Sequence, residues 1–102
     1  MTDSTPAAVA IRPVRPDDRA QWATLFRAYR EFYRLEPDET VVDRVWSWLM
    51  DAGHEVRGLV AEADGALVGI AHHRRFARPS TGTVGVWLDD LYAAEAVRGQ
   101  GV

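Results

Sequence analysis

Two stretches near the carboxyl end hold residue types able to do chemistry. The first is Leu88-Asp89-Asp90-Leu91-Tyr92-Ala93, two adjacent carboxylates inside an apolar run. Desolvation raises a carboxyl pKa, which suits a proton acceptor. Such a group can also bind an alkylammonium, whose pKa lies at about 10, and take its proton directly or through water. Successive strand residues face opposite ways. The reading therefore places Asp89 with Trp87 and Leu91, and Asp90 with Leu88 and Tyr92. The plainer alternative has one Asp in solvent and the other satisfying backbone groups at a bulge. The second stretch is Arg98-Gly99-Gln100-Gly101-Val102. Glycine lacks a Cβ, so main-chain N–H groups can close around an anion, and Arg98 adds positive charge. The strand-like run Val84-Gly85-Val86-Trp87-Leu88 upstream favours a phosphate loop over a plain surface turn.

Other candidates are weaker. His72 and His73 are neighbours on a strand, so they face apart and cannot share one metal ion. One is expected in the core or on a sheet face and the other in solvent. His54 falls in a loop. Arg74, Arg75 and Arg78 read as a solvated strand end. The chain has no cysteine, which excludes disulfides, thiolate metal sites and cysteine nucleophiles. No metal site is expected. Net charge is −3 and the basic residues are scattered, so no nucleic-acid surface is expected. No apolar run approaches the roughly 18–20 residues of a membrane span, and Met1 to Pro6 do not resemble a leader peptide. A cytoplasmic location fits these features.

The elements that must position these groups follow from pattern. At 102 residues the chain is one domain. Its composition, 47% apolar with 26% charged, is that of an ordinary globular protein. Residues 1–8 read as a flexible tail and 9–102 as the domain. Val9 to Val14 can form a first strand, with Pro13 at its end or on an edge. Pro16-Asp17-Asp18 suits a helix start. Trp22, Leu25, Phe26, Tyr29, Phe32 and Tyr33 then recur as one apolar stripe on a long helix. Leu35-Glu36-Pro37-Asp38 breaks it. A second helix is capped by Thr40 with Asp43, or by Asp38, and carries Val42, Val45, Trp46, Leu49 and Met50. Gly53 is its expected stop. Strands are expected over Val56–Ala63, Ala66–Phe76 and Thr83–Ala93. Asp64-Gly65 between the first two is a tight hairpin signal. The fold class is α/β or α+β: strand, two helices, then three mostly antiparallel strands packed on the helices.

Leu88 to Ala93 followed by Arg98-Gly99-Gln100-Gly101 resembles the acetyl-coenzyme A signature of the GNAT superfamily of N-acetyltransferases. Arg98 and Gly101 match its first two fixed positions. The hairpin Asp64-Gly65-Ala66-Leu67-Val68-Gly69 is also common there, and the order from Ile11 to Val102 looks like the N-terminal half of that fold. The resemblance implies acetyl transfer from acetyl-coenzyme A to a small-molecule primary amine by direct attack. Leu91, Tyr92 and Ala93 would hold the pantetheine and polarise the thioester carbonyl. Arg98, Gly99, Gln100, Gly101 and Val102 would hold the pyrophosphate. Asp89-Asp90-Leu91-Tyr92 is similar to the acidic stretch of polyamine and diamine acetyltransferases, which implies Asp89 as the base, with Asp90 a second candidate. Tyr29, Phe32, Tyr33 and Glu36 would wall the acceptor pocket.

In the resembled fold more chain follows the phosphate loop, including a tyrosine that acts as general acid. Residues 1–102 alone are therefore expected to bind the coenzyme weakly and turn over little. A homodimer, or dependence on a C-terminal half, is expected to cover the last strand. The rival functional reading is a non-catalytic acyl-coenzyme A-binding or assembly module. A second rival is an unrelated α+β interaction domain.

Overall fold

The computed structural model describes residues 8–94. The elements are β1 (Ala10–Pro13), a 3-10 turn (Pro16–Asp18), α1 (Arg19–Phe32), α2 (Glu39–Leu49), β2 (Arg57–Ala63), β3 (Ala66–Arg78) and β4 (Thr83–Ala93). The strands form one sheet in the order β1-β2-β3-β4, with every neighbouring pair antiparallel. Pro13 ends β1 on the sheet edge, where its missing N–H costs no ladder bond.

Asp17 and Asp18 open a 3-10 turn rather than the long helix itself. Asp18 takes two hydrogen bonds from the Arg12 guanidinium, at 2.7 and 2.9 Å, and one from the Arg15 amide at 2.7 Å. Arg12 also reaches Glu62 at 3.1 Å. This buried cluster ties the entry of α1 to β1 and β2. Asp38 caps α2: its carboxylate accepts from the Thr40 amide at 2.9 Å and from the Thr40 hydroxyl. Of the two caps weighed for this helix, Asp38 is the one present. The helix ends at Leu49 with Met50 as cap, so Gly53 is not its stop. Asp64 and Gly65 both take positive φ, 51° and 78°, as the mirror-image hairpin turn requires.

The core lies between the two helices and one face of the sheet. Trp22 is its centre, stacked on Phe26 at 5.0 Å and set against Trp46 at 5.1 Å. Leu25, Val42, Leu49, Val60, Leu67 and Ile70 complete it. The apolar stripe of α1 is buried only through Phe26. Phe32 and Tyr33 end it in solvent. The opposite face of the sheet carries Ile11, Val84, Val86, Leu88 and Leu91, all exposed.

Two bulges interrupt the sheet. One falls between Ala61 and Glu62 of β2, opposite Gly69 and Leu67. There the Leu67 amide donates to Gln21 of α1 at 2.9 Å. The other falls on β4: His72 pairs with Asp90 and His73 with Leu88, which leaves Asp89 as the extra residue.

Candidate active site at the β4 bulge

The β4 bulge overturns the expectation that Asp89 and Asp90 face apart. Before it, Val84, Val86 and Leu88 lie on the outer face. After it, Leu91 and Ala93 hold that face. The extra residue absorbs the change of phase, and both carboxylates turn toward the helices. They line one cleft of about 530 Å³ together with Val45, Trp48, His54, Glu55, Val56, His72 and Arg74. Trp48 and His54 stack there at 4.8 Å.

The two acids have different partners. Asp89 accepts from Arg74 Nε at 3.1 and 3.2 Å, and Arg74 also lies 3.9 Å from Glu55. Arg74 is therefore part of the cleft and not merely a solvated strand end. Asp90 Oδ1 accepts from the Tyr29 hydroxyl at 2.6 Å. Asp90 Oδ2 lies 2.8 Å from His72 Nδ1. The sequence implied raised carboxyl pKa values here. Burial does push Asp90 upward, but the hydrogen bonds from His72 and Tyr29 outweigh it and hold the group below the ordinary carboxyl range. Tyr29 is pushed the other way, above the usual phenol value, by its own burial and by donating to Asp90.

His72 is 1% exposed and sits within the core. Its Nε2 accepts from the Trp22 indole N–H at 3.0 Å. Indole nitrogen only donates, so Nε2 carries a lone pair and the ring proton resides on Nδ1, facing Asp90. A hydrogen-bonded chain thus runs Trp22–His72–Asp90–Tyr29, from the centre of the core to the bulge.

Tyr29 belongs to an aromatic cluster at the end of α1. It packs on Tyr33 at 4.9 Å and Tyr92 at 6.3 Å, and Phe32 meets Tyr33 and Tyr92 at 5.2 and 6.4 Å. Tyr29, Phe32 and Tyr33 are therefore brought together beside Asp90. Glu36 is not: it lies in the loop between the helices, on a separate cleft of about 460 Å³ with Arg27, Arg30 and Arg34. Its carbonyl accepts from Arg30 at 2.6 Å. Arg98, Gly99, Gln100, Gly101 and Val102 lie outside the described residues. Among the described residues no group of three or more His, Asp or Glu could hold a metal ion, and no helix is long and apolar enough to cross a membrane.

Trp22, Trp48 and Glu55 carry no mark of a site in the sequence, and His72 is the one of the His72–His73 pair that lies in the core. The phase change from Val84/Val86/Leu88 to Leu91/Ala93 is a readable mark of the bulge. The link from Trp22 to His72 spans fifty residues and has no local mark.

No protein-family model and no curated protein matches the sequence. Solved structures do match. A ribosomal-protein-alanine N-acetyltransferase from Brucella melitensis biovar Abortus 2308 is 27% identical, with TM-score 0.75, over 93% of this chain and 63% of its own. A possible acetyltransferase from Clostridium difficile 630 is 19% identical, with TM-score 0.76, over 91% and 62%. AAC(6')-Iy, solved with a coenzyme A bisubstrate analogue, is 19% identical, with TM-score 0.70, over 94% and 64%. The chain thus spans less than two-thirds of these neighbours' length, and within that span its two helices and antiparallel sheet follow the fold of GNAT acetyltransferases.

Proposed function

We propose that this protein transfers an acetyl group from acetyl-coenzyme A to a primary amine by direct attack. The observation that carries the reading is the bulge. It places Asp89 and Asp90 at one cleft wall near the end of β4, where Asp90 also accepts from the Tyr29 hydroxyl of α1. Main-chain groups of Leu91 to Ala93 would hold the pantetheine along that strand, and Arg98 to Val102 would hold the phosphates. The coenzyme would supply the activated acyl carbon.

The chain's own residues then divide the remaining work. Asp89 is the better group to bind the ammonium and receive its proton. Its carboxylate takes one donor group, Arg74 Nε, and keeps accepting capacity. Both oxygens of Asp90 are already engaged, and its low pKa makes it a poor base, so it anchors Tyr29 instead. Exposed Phe32 and Tyr33 offer aromatic surface to a cation.

Titration calorimetry of acetyl-coenzyme A against the protein tests the first half. Saturable binding is expected, and a folded protein giving no heat of binding overturns it. Thiol release tests the second half, with the protein as expressed from its own gene. The neighbours' names suggest the amines: an alanine-terminated peptide and an aminoglycoside, with a diamine added. Asp89→Asn is expected to lower kcat about 10²- to 10⁴-fold, as for loss of a general base. A rival reading, coenzyme binding without catalysis, draws on the pairing of Asp89 with Arg74. Binding with no turnover on any amine would favour it.

A further inference from the structure

β3 and β4 outrun the rest of the sheet. β2 pairs with β3 only as far as His73, opposite Arg57. Beyond it, among the described residues, 74–78 and 83–87 pair only with each other, as a two-stranded arm. The register puts Arg74, Phe76 and Arg78 on one face with Trp87, Gly85 and Thr83. Arg74 bonds Asp89 in the cleft, so this face continues the cleft wall. A groove of about 270 Å³ runs along it, lined by Glu55, Arg74, Arg75, Phe76 and Trp87. Glu55 and Arg74 border both spaces, which makes cleft and groove continuous.

The arm differs chemically from the cleft. From Arg74 to Leu88 the sequence holds three arginines and no acid, in a chain of net charge −3. Phe76 and Trp87 are both exposed and meet edge to face at 6.2 Å. The Arg78 guanidinium lies over the Phe76 ring, 4.9 Å from its centre. It fills the space beside Gly85, where a Cβ would come within 2.5 Å of it. Gly85 thus seats the cation on the aromatic surface. Arg74 is matched by Asp89 and Glu55. Arg78 makes no ion pair or side-chain hydrogen bond among the described residues, so its N–H donors stay open to a ligand.

We propose that the acceptor is a peptide lying along this arm, with its amine at Asp89, its chain across Trp87 and Phe76, and an acidic side chain held by Arg78. The inference rests on the acetyl-transfer reading for the amine's place at Asp89. The guanidinium sits at the level of Gly85, four residues before Asp89, or roughly 13 Å at about 3.3 Å per residue. An extended peptide covers that distance in about four residues, which puts the acid on its fourth. A diamine or polyamine would bring a second cation toward Arg78. A nucleic acid would bring phosphates toward Asp89, Asp90 and Glu55. A ligand with a cation at one end and an anion at the other matches both ends.

The probes are three tetrapeptide amides with alanine first, glycine second and third, and glutamate, glutamine or lysine last. Each is titrated into the protein as expressed from its own gene, following the Trp87 indole N–H resonance. The glutamate peptide is expected to bind about fivefold more tightly than the glutamine peptide, the upper range for an exposed ion pair. Added salt should shrink that preference. Arg78→Gln is expected to abolish it, and Arg78→Glu to transfer it to the lysine peptide, which separates ion pairing from any loosening of the arm. Equal binding of the glutamate and glutamine peptides, no binding of either, or a preference that survives Arg78→Gln overturns the proposal. So does a single-stranded oligonucleotide that binds more tightly than the glutamate peptide. Blocking the peptide's amine by acetylation should weaken binding, and a blocked peptide that binds equally overturns the amine's placement. Failure of the acetyl-transfer reading is separable. Absent coenzyme binding with an intact Arg78-dependent preference would remove the reaction and leave the peptide site. Acetylation of the glutamate and glutamine peptides with equal kcat/KM would leave the reaction and remove the proposal.

Discussion

At the scale of single residues, His72 links the stability of the core to the composition of the site. A polar ring at the centre of a packed interior is tolerated because both nitrogens are matched, one by Trp22 and one by Asp90. His72→Leu fills the space but strands a buried indole N–H and a half-buried carboxylate. A loss of about 2–3 kcal/mol in urea unfolding is expected. His72→Asn retains a donor toward Asp90 and should cost roughly half as much. Equal losses would show that cavity formation, not hydrogen bonding, dominates. Asp18 makes a companion case. The Arg12 guanidinium, and then the Arg15 amide, hold its carboxyl below the ordinary value despite burial, and Asp90 is shifted the same way. Both groups bind protons more weakly folded than unfolded. Their contribution is therefore complete above pH about 4 and is lost as pH falls below it. Unfolding measured from pH 7 down to 3 should show that loss, and Asp18→Asn should flatten the slope. Little of this was legible beforehand. Asp89 and Asp90 were visible as acids in an apolar run. Their partners, however, come from α1 and β3, and only tertiary packing sets which carboxylate is held by two residues.

The elements themselves were more legible, because each has a local cause. The three-and-four spacing of Trp22, Leu25 and Phe26 specifies the buried face of α1. Asp64-Gly65 specifies the hairpin through its positive φ values, and β4 runs over Thr83–Ala93 as its alternation implies. At the β4 bulge a single residue overrides the local pattern. Strict alternation through Leu88-Asp89-Asp90-Leu91 gives opposite faces, and one bulged residue reverses that conclusion. Phe32 and Tyr33 satisfy the helical period yet stay exposed, at the end of α1 beside Tyr92 of β4. The end of α1 has its own signature. Arg34 holds φ at 58°, and the Arg34 and Leu35 amides close back on Glu31 and Arg30 at 2.9 Å. This is the left-handed helix stop that glycine usually occupies. Arg34→Gly is expected to raise stability by about 1 kcal/mol, less the added freedom of the unfolded chain. At the other end of the loop, Asp38→Ala should cost about 1 kcal/mol as a lost N-cap. Thermal unfolding of the two variants checks both signs, and an Arg34→Gly protein that melts lower would show that the arginine side chain is held in place.

Across the whole molecule the two faces of the sheet are treated unequally. The inner face meets both helices. On the outer face Ile11, Val84, Val86, Leu88 and Leu91 are between 55% and 64% exposed. Ile11 and Leu91, with Leu59, Ala61, Ala71 and Ala93, also border a shallow apolar groove of about 160 Å³. Scattered exposed apolar residues are normal on a soluble protein, but a continuous row along the last strand of a sheet is not. The row is kept continuous by the same bulge that turns Asp89 and Asp90 inward, since without it Leu91 would face the helices. One inserted residue thus serves the cleft on one side and the apolar surface on the other. The expected consequence is self-association of the chain in solution. Sedimentation velocity should show the mean size rising with concentration, and a solvatochromic dye should brighten on binding. Val86→Lys combined with Leu88→Lys places like charges on the exposed row and should suppress both signals while leaving the near-ultraviolet circular dichroism of the Trp22 core unchanged. A parent chain that stays monomeric and leaves the dye dark would overturn the assignment of this row as open surface.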